Sequence, residues 1–369
     1  MNTKQIYQIA LAQAKHVGPH YARTLLEVMG GVEAIFEDKA RLRSKFPRLA
    51  DKIVSELYRS DLMDEAKRIA EQCVRQGIYT LFVDESIYPE RLRECADPPT
   101  LLYVRGKPQI WEQEFTLSVV GTRNISSYGQ IMTDRLLTEL SEIFPRMLIV
   151  SGLAYGVDIA AHKRAIQLGM PTIAVLAHGL DRIYPSVHTQ IAHQMLEDGA
   201  WLSEYPPGTS PERYNFVGRN RIIAGLTEAT FVVEAGVKSG SLITANLAAG
   251  YGREVLALPG RVTDPYSQGC NKLIADQLAV MASSGEQMVR AMGWERRGNV
   301  LEQQLQFATT APPIQDDLYS LIAEKQPIHV NDLIRMSGLP ASQVSTRLFD
   351  LELDGYISAM PGGVYIVAR

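Results

Sequence analysis

The sequence has few cysteines, no long apolar run and no excess of basic residues, and each of these excludes a class of protein. Its three cysteines, Cys73, Cys95 and Cys270, are too few and too far apart for a disulfide framework or a cysteine-rich metal site. No stretch of about 18 apolar residues occurs, and no short apolar signal segment follows Met1. We therefore expect a protein of the reducing cytoplasm with no membrane partner.

The charge balance excludes a globally basic nucleic-acid binder. The 369 residues carry 37 basic and 41 acidic side chains, a formal net charge of −4. Residues 1–80 carry 13 basic and 10 acidic side chains, residues 81–290 carry 18 and 22, and residues 291–369 carry 6 and 9. Any site for a polyanion must therefore be a local concentration of cations.

Residues 1–80 have apolar residues at helical spacing and are predicted to form a helical domain of the SAM or helix-hairpin-helix type. The break at 17–20 between two helices can be read in two ways. It can place the N–H groups of a helix start against a DNA phosphate, or it can simply join two helices of a bundle that packs on its neighbour. The sequence leaves both interpretations open.

Residues 81–290 contain six apolar runs, each followed by a glycine-rich or polar turn and an amphipathic stretch. Continuous rather than alternating hydrophobicity indicates strands that are buried on both faces. The predicted class is α/β, with a Rossmann-like, doubly wound parallel sheet. The predicted strands are 117–120, 147–150, 172–177, 200–203, 230–234 and 254–258.

The last part of the chain differs in composition. Residues 291–313 have no clear period and end in Ala311-Pro312-Pro313, which predicts a linker. Residues 314–369 predict three short helices and a hairpin around 361–363, the pattern of a winged-helix domain. Seven acids against four cations in 313–369 argue against phosphate binding by this domain, so we expect a protein-contact or regulatory role for it.

In an open parallel sheet, ligands bind beyond the carboxyl ends of the strands, so the loops there are the candidate site. Glycine-containing turns follow four of the predicted strands, the first, second, fifth and sixth, and such turns leave the N–H groups of helix starts exposed, which suits a phosphate. Arg123 and Lys238 lie in two of these loops. Each loop alone could be a plain connection, but several at one edge with basic residues predict a phosphate-binding site.

A further segment, 214–224, brings two arginines and two aromatic rings to the start of a helix. Arg219 and Arg221 supply bidentate phosphate donors on either side of Asn220, and Phe216 offers a face to a base. The alternative is that the arginines are paired with acids from neighbouring loops. We expect Asp158 and Glu234 to orient them.

Standard catalytic and cofactor motifs are absent. There is no G-x-G-x-x-G after the first predicted strand, no G-x-x-x-x-G-K-[ST], no H-E-x-x-H and no G-x-S-x-G. We therefore expect no catalytic residue, no metal and no cofactor, and we interpret Ser151, Ser239 and Ser241 as phosphate ligands. Asp158 and His162 are one helix turn apart, which favours a supporting pair over acid-base catalysis.

The ordered motifs in 81–290 resemble the DprA/Smf family of bacterial DNA-processing proteins. The segments that carry the resemblance are VVGTR (119–123), SGLAYGVD (151–158), SEYP (203–206), RNRIIAGL (219–226) and VVEAGVKSGSLITA (232–245). The resemblance implies a non-enzymatic protein that binds and protects incoming single-stranded DNA during natural transformation. It also implies loading of the recombinase RecA and a homodimer formed through the Rossmann-like domain.

Carried onto matching positions, the resemblance implies one DNA pocket. Its residues are Gly121, Arg123, Ser151, Gly152, Tyr155, Gly156, Asp158, Phe216, Arg219, Asn220, Arg221, Lys238, Ser239, Gly240 and Ser241. Tyr155 stands where many relatives have a basic residue, and Val217-Gly218 follows Phe216 where proline is common. An alternative function is an enzyme of the phosphoribohydrolase kind on the same fold, although the glycine-rich loops of that family are absent here.

Overall fold

Short runs of β-branched and other apolar residues form the strands of one nine-stranded sheet in the computed structural model of the protein. The structure describes residues 2–46, 51–294, 316–354, 356–360 and 363–367. They belong to two compact units, residues 1–295 and 296–369. Most of the predicted linker, from residue 295 onward, and positions 361 and 362 of the predicted hairpin turn lie outside the described residues.

The sheet belongs to the first unit, and its strands lie in the order β1-β2-β6-β5-β4-β3-β7-β8-β9. Strands β3 to β9 are parallel to one another, whereas β1 and β2 are antiparallel to their neighbours. The bounds are β1 Tyr79–Phe82, β2 Leu101–Gly106, β3 Thr116–Val120, β4 Leu148–Ser151, β5 Thr172–Val175, β6 Ala200–Ser203, β7 Ala229–Val232, β8 Glu254–Ala257 and β9 Val280–Met281.

All six predicted strands are present, and the doubly wound parallel sheet is confirmed. Strands β1, β2 and β9 were not predicted from the sequence. β9 lies within the apolar run 278–282, but it is only two residues long and both are exposed, so it is not the fully buried kind of strand on which the prediction was based. β1 and β2 sit at the opposite edge, where antiparallel pairing needs no crossover helix and so has no strand-helix-strand pattern to reveal it.

Helices cover both faces of the sheet. Leu117 and Val119 of β3 pack on one side against the helices that follow β3, β4 and β9, while Val120 packs on the other side against the helices before and after β7. The helix bounds are α1 Thr3–Gln13, α2 Pro19–Met29, α3 Val32–Glu37, α4 Lys39–Lys45, α5 Asp51–Leu57, α6 Leu62–Gln76, α7 Glu90–Arg93, α8 Ser127–Ile143, α9 Val157–Gln167, α10 Thr189–Met195, α11 Arg213–Leu226, α12 Gly240–Gly250, α13 Gln268–Ala275 and α14 Gly285–Met292.

Helices α1 to α6 share a hydrophobic core with the sheet. Ile9 and Leu25 belong to the same buried cluster as Tyr103, Ala174 and Trp201, which lie on β2, β5 and β6. The boundary predicted near residue 80 therefore lies inside the first compact unit. Sharing a core fixes the helical region against the edge of the sheet that carries β1 and β2.

Within its described residues, the second unit has three helices and a three-stranded antiparallel sheet in the order β10-β12-β11. This arrangement confirms the predicted winged-helix domain and adds the short strand β10. Leu318, Leu333 and Leu348, one from each helix, are buried together in its core. The elements are helices Asp317–Lys325, Val330–Ser337 and Ala341–Leu353 and strands β10 Ile328–His329, β11 Ile357–Met360 and β12 Val364–Val367.

Candidate nucleic-acid interface

A cavity of about 640 Å³ opens at the carboxyl edge of the parallel strands. It lies where β3 separates β4 from β7, the point at which the strand order reverses and where open α/β sheets bind their ligands. The loops after β3, β4 and β7 and the first turns of α11 and α12 form its walls. Its lining residues are Val120, Gly121, Arg123, Ala154, Asp158, Tyr184, Pro211, Arg213, Phe216, Val217, Arg219, Asn220, Ile223, Ser239, Gly240, Ser241 and Thr244.

The structure brings nine of the fifteen sequence-predicted site residues to this cavity. They are Gly121, Arg123, Asp158, Phe216, Arg219, Asn220, Ser239, Gly240 and Ser241. Six do not line it: Ser151, Gly152, Tyr155, Gly156, Arg221 and Lys238. Lys238 is exposed beside Ser239, and Tyr155 is exposed on the loop after β4, so both side chains remain available to a ligand that extends beyond the cavity.

Arg219 is a buried residue of the cavity lining that supports the loops around it. It is 3% exposed, and its Nη1 donates to the carbonyl oxygen of Gly152 at 2.8 Å and to that of Val175. Burial lowers the pKa of the guanidinium to about 10, which leaves it charged at neutral pH, and Asp158 opposes that shift. Arg219 therefore joins the ends of β4 and β5 and adds a buried positive charge to the cavity.

Asp158 is held by the same loop. Its carboxylate accepts from the N–H groups of Gly152 at 3.1 Å and Ala154 at 3.3 Å, which fixes the turn after β4. Burial raises the pKa of Asp158, while Arg219 and the two amides act in the opposite direction. The expected orientation of Arg219 by Asp158 is thus an electrostatic pairing inside a buried cluster rather than a surface ion pair.

No arginine of the described ranges pairs with Glu234, although such a pairing was expected. Glu234 accepts instead from the backbone N–H of Ser126 at 2.8 Å and from the Ser126 hydroxyl, and so secures the start of α8. Arg221 turns away from the cavity and pairs with Glu204 and the backbone oxygen of Asp97. Arg219 and Arg221 are two positions apart on a helix, about 200° around its axis, so both cannot face one cavity.

Phe216 lies between cations and a second ring. The guanidinium carbons of Arg123 and Arg219 lie 5.5 and 5.8 Å from the centre of its ring, and Tyr184 meets it edge to face at 5.9 Å. Cations over an aromatic face are attracted by its quadrupole. The ring therefore holds Arg123 over the cavity and is itself held in one orientation.

The first turn of α12 points its free amides at the cavity. Ser239 precedes the helix, and its hydroxyl lies 2.8 Å from that of Ser241. A Cβ added to Gly240 would meet nothing within 4 Å, so the backbone is open to a ligand there. An 11-residue helix directs partial positive charge to its N-terminus, which suits a phosphate.

Other glycines of the predicted site serve the packing of loops. Gly156 has φ +77, and a Cβ on it would overlap the backbone oxygen of Thr122, while one on Gly152 would overlap the Arg219 guanidinium. The N–H of Val157 donates to the same Thr122 oxygen at 3.1 Å. These two glycines let the loops after β3 and β4 and Arg219 approach closely, whereas the predicted role was close approach of a ligand.

Arg213, Tyr184 and Thr244 also line the cavity and were not predicted as site residues from the sequence. Arg213 is exposed at the first position of α11, so it adds a third guanidinium to the cavity. The sequence feature that could have identified Arg213 is its position directly before segment 214–224, which contains the two aromatic residues. Tyr184 lies in the loop after β5. Only the folded structure brings it into contact with Phe216 of α11, which is 32 positions later in the sequence.

His162 does not pair with Asp158. Its Nδ1 lies 2.8 Å from the hydroxyl of Thr172, and its Nε2 is buried with no hydrogen-bond partner in the described part of the chain. Burial, together with His188 and Arg219, lowers the pKa of His162 to about 3. The imidazole is therefore neutral at physiological pH and closed off from the cavity, and its role is structural.

No group of three or more His, Cys, Asp or Glu side chains among the described residues is arranged to hold a metal ion. Separately, none of the helices in those same ranges is both long and apolar enough to cross a membrane.

Comparison with known proteins gives consistent matches over both units. The family model for DNA recombination-mediator protein A matches residues 79–293, and the model for the DprA winged helix domain matches residues 306–363. Protein Smf of Escherichia coli (strain K12) is 37% identical over 296 residues, which are 78% of this chain and 76% of that protein.

Two solved structures are also similar. The X-ray structure of DNA processing protein A from Streptococcus pneumoniae is 31% identical with a TM-score of 0.65, over 79% of this chain and 98% of that one. A structure of DNA processing protein A from Helicobacter pylori, described as giving insights into its single-stranded DNA binding mode, is 30% identical with a TM-score of 0.53. It covers 59% of this chain and 96% of that one.

The buried His162 predicts a defined loss of stability in acid. Unfolded, the imidazole titrates near pH 6.5, and folded, near 3, so between these values only the unfolded chain binds the proton. The free energy of unfolding then falls as the pH is lowered through this window, by at most about 1.4 kcal/mol per pH unit from this group. Urea unfolding between about pH 7 and pH 5 should show a shallower fall for His162→Gln than for the wild type.

The exposed His20→Gln variant is the control, and its pH dependence should match that of the wild type. Parallel curves for wild type and His162→Gln would contradict a neutral buried imidazole.

Proposed function

Because this chain belongs to the DprA/Smf family of DNA-processing proteins, we propose that it binds single-stranded DNA in the cavity at the carboxyl edge of its sheet. The observation that carries the proposal is the charge of that cavity. Arg123, Arg213 and Arg219 line it together with the N-terminus of α12, against the single carboxylate of Asp158. The chain as a whole is acidic, so the positive charge of the cavity is a local excess that the overall composition does not account for.

The cavity cations differ in what they offer a strand. Arg123 and Arg213 are exposed and, with Lys238 at the rim, can reach phosphates directly. Arg219 contributes charge from below while its hydrogen bonds go to the protein. We therefore assign phosphate contacts to the exposed cations and to the amides of α12, and the bracing of the loops to Arg219.

Aromatic side chains lie in the cavity and next to it in sequence. Phe216 and Tyr184 line it, and Tyr155 and Tyr214, which adjoin the lining residues Ala154 and Arg213 in the chain, are 50% and 70% exposed. Base stacking on such rings contributes about 1–3 kcal/mol per base and accepts every base. Phosphate contacts and stacking together support binding that does not depend on sequence.

We propose that the protein acts on DNA without catalysis. A phosphoribohydrolase would need an acid and a base that face the ligand. Asp158 is engaged by two amides and Arg219, and His162 is buried on Thr172, so the two side chains considered for that chemistry serve the fold.

We further propose that the bound strand is protected and passed to the recombinase RecA during natural transformation, in the cytoplasm. Support comes from the matching family model, which describes a recombination-mediator protein. A mediator must bind the DNA backbone and accept any base sequence. The cations and aromatic rings of the cavity agree with this requirement, because neither group recognises a particular sequence.

A homodimer through the Rossmann-like domain is also proposed, with β9 as its centre. Within the described residues, β9 is the last strand of the sheet and pairs only with β8. Val280 and Met281 are 45% and 49% exposed, and Leu278, two residues before the strand, is exposed as well. An open apolar strand edge of this kind is a template for pairing with a second chain.

Removing the exposed cavity cations should weaken single-strand binding. The double variant Arg123→Gln with Lys238→Gln loses two phosphate contacts, so the dependence of log Kd on log salt should become shallower by about 1.4 for oligothymidine. Fluorescence anisotropy titrations at several salt concentrations measure this slope.

The matched control is Arg135→Gln with Lys163→Gln, which removes two exposed cations from the outer helices α8 and α9. Its slope should stay close to that of the wild type. An unchanged slope in the folded cavity variant would overturn the assignment of the site.

Loading of RecA has its own readout. On single-stranded DNA precoated with a single-strand-binding protein, addition of this protein should shorten the lag before RecA hydrolyses ATP. The cavity variant should leave the lag unchanged, because loading requires that the mediator hold the strand. A wild-type protein that binds DNA but does not shorten the lag would contradict the RecA proposal and leave the DNA site standing.

A charge on the exposed strand edge should separate the dimer. Met281→Lys places a cation on β9, where pairing with a second strand would desolvate it, so the mass measured by light scattering after gel filtration should fall toward that of one chain. Val74→Lys, which charges an exposed apolar position on α6, should leave the mass unchanged. A dimer that persists in Met281→Lys would place the interface elsewhere.

A further inference from the structure

Helix α4 carries an unusual concentration of positive charge far from the cavity in sequence. Between residues 39 and 52 the chain has six basic side chains against the one acid Asp51. Four of the six lie on α4 itself, and Lys52 follows on α5. The side chains on α4 are Lys39, Arg41, Arg43 and Lys45, and all are exposed.

The four cations flank one buried anchor. Leu42 is the only buried residue of α4. At 100° per residue, Lys39 and Arg43 lie together on one side of Leu42, and Arg41 and Lys45 lie together on the other. The Nζ of Lys39 lies 4.6 Å from the centre of the Tyr58 ring, which holds that side chain against the helical unit.

None of these cations has an acidic partner among the described residues. Asp38, the nearest carboxylate in sequence, accepts from the backbone N–H of Arg41 at 2.8 Å and so caps the helix. Elsewhere on the surface the chain pairs helical cations with acids one turn away. Examples are Arg135 with Glu139, Lys272 with Asp276, and Arg290 with Glu286.

The charge on α4 stabilises the fold only in part, through Lys39 on the Tyr58 ring and through Arg43 and Lys45 in the last turn of the helix. Cations four positions apart repel, so both pairs on α4 disfavour the helix that carries them. Its hold on the unit comes from Leu42, which is buried with Leu25 and Met29 of α2 in one cluster. A surface that is costly to the folded chain and left unpaired is available for an external anion.

We infer that α4 is a second polyanion-binding surface, which takes the phosphodiester backbone of a nucleic acid that extends beyond the cavity. A helix that inserts into a lipid surface needs large apolar residues beside its cations, and a protein interface needs a buried apolar or aromatic anchor. The exposed side chains of α4 are its four cations, Ala40 and Ser44. Bare charge without apolar contact is what contact with phosphates requires.

The cavity and α4 belong to the same compact unit. A strand that is long enough to span the distance between them can therefore contact both. The inference goes beyond the proposed function, because it assigns phosphate contacts to a helix outside the family's DNA-processing domain match at residues 79–293. It also differs from a contact by the hairpin at 17–20, since it depends on side-chain cations rather than on the N–H groups of a helix start.

The test is the full-length triple variant Arg41→Gln, Arg43→Gln and Lys45→Gln. Glutamine keeps the helix propensity and removes the repulsion, so the variant should melt no lower than the wild type. For long oligothymidine, the dependence of log Kd on log salt should become shallower by about 2. If α4 also binds duplex DNA, the same slope for a duplex of equal length should become shallower by about 2.7. A short oligothymidine that fills only the cavity should bind as it does to the wild type.

The matched control removes three exposed cations from α6, with Lys67→Gln, Arg68→Gln and Arg75→Gln. A fall in slope that is equal in both triple variants would reduce the effect to net charge and overturn the inference. Unchanged DNA binding by the α4 variant would also overturn it. In that case, loss of its binding to vesicles of phosphatidylglycerol and phosphatidylcholine in equal parts would assign α4 to a lipid surface instead.

The cavity variant Arg123→Gln with Lys238→Gln separates this inference from the proposed function. If α4 binds nucleic acid by itself, the cavity variant retains weak binding to long strands, and adding the α4 substitutions abolishes it. If the cavity variant loses all binding and the α4 substitutions change nothing in the wild type, the cavity stands and the α4 surface does not.

Discussion

The carboxyl edge of the sheet depends on one buried guanidinium. Arg219 reaches from α11 to the carbonyl oxygens of Gly152 and Val175, and so joins the ends of β4 and β5 to the helix that forms the wall of the cavity. Burying a charge is costly unless it is paired and hydrogen-bonded, and here Asp158 supplies the pairing. The space that this guanidinium needs explains why position 152 is glycine.

A division of labour follows from that constraint. Charges that hold the loops are buried and bound by the protein, as with Arg219 and Asp158, and Arg221 is likewise paired with Glu204. Cations such as Arg123 and Lys238, which have no acidic partner among the described residues, are exposed in the cavity or beside it. An acidic chain can therefore carry a local site for a polyanion, because its exposed cations in and beside the cavity lie away from most of its acidic side chains. Helix α4 extends the same logic to the surface of the helical region.

The local sequence pattern was sufficient to predict the framework of the site. Run 147–150 is apolar at every position because both faces of the sheet are covered, and that continuity appears directly in the sequence. The glycine-rich loops then had to lie at one edge, since parallel strands end on the same side. The edge strand β9 lies in the apolar run 278–282, but only two residues of that run form the strand and both are exposed, so the run alone did not identify it.

The sequence by itself determined the class of the sheet, the loops that end its strands and the residue types that meet there. Only the tertiary structure decided which charges face the cavity. Arg219 and Arg221 have the same chemistry and are two positions apart, yet one lies beneath the cavity and the other on Glu204. Glu234, expected to orient an arginine, caps α8 through Ser126. The reason is that ion pairs form between groups distant in sequence, and their partners are chosen by the packing of helices on the sheet.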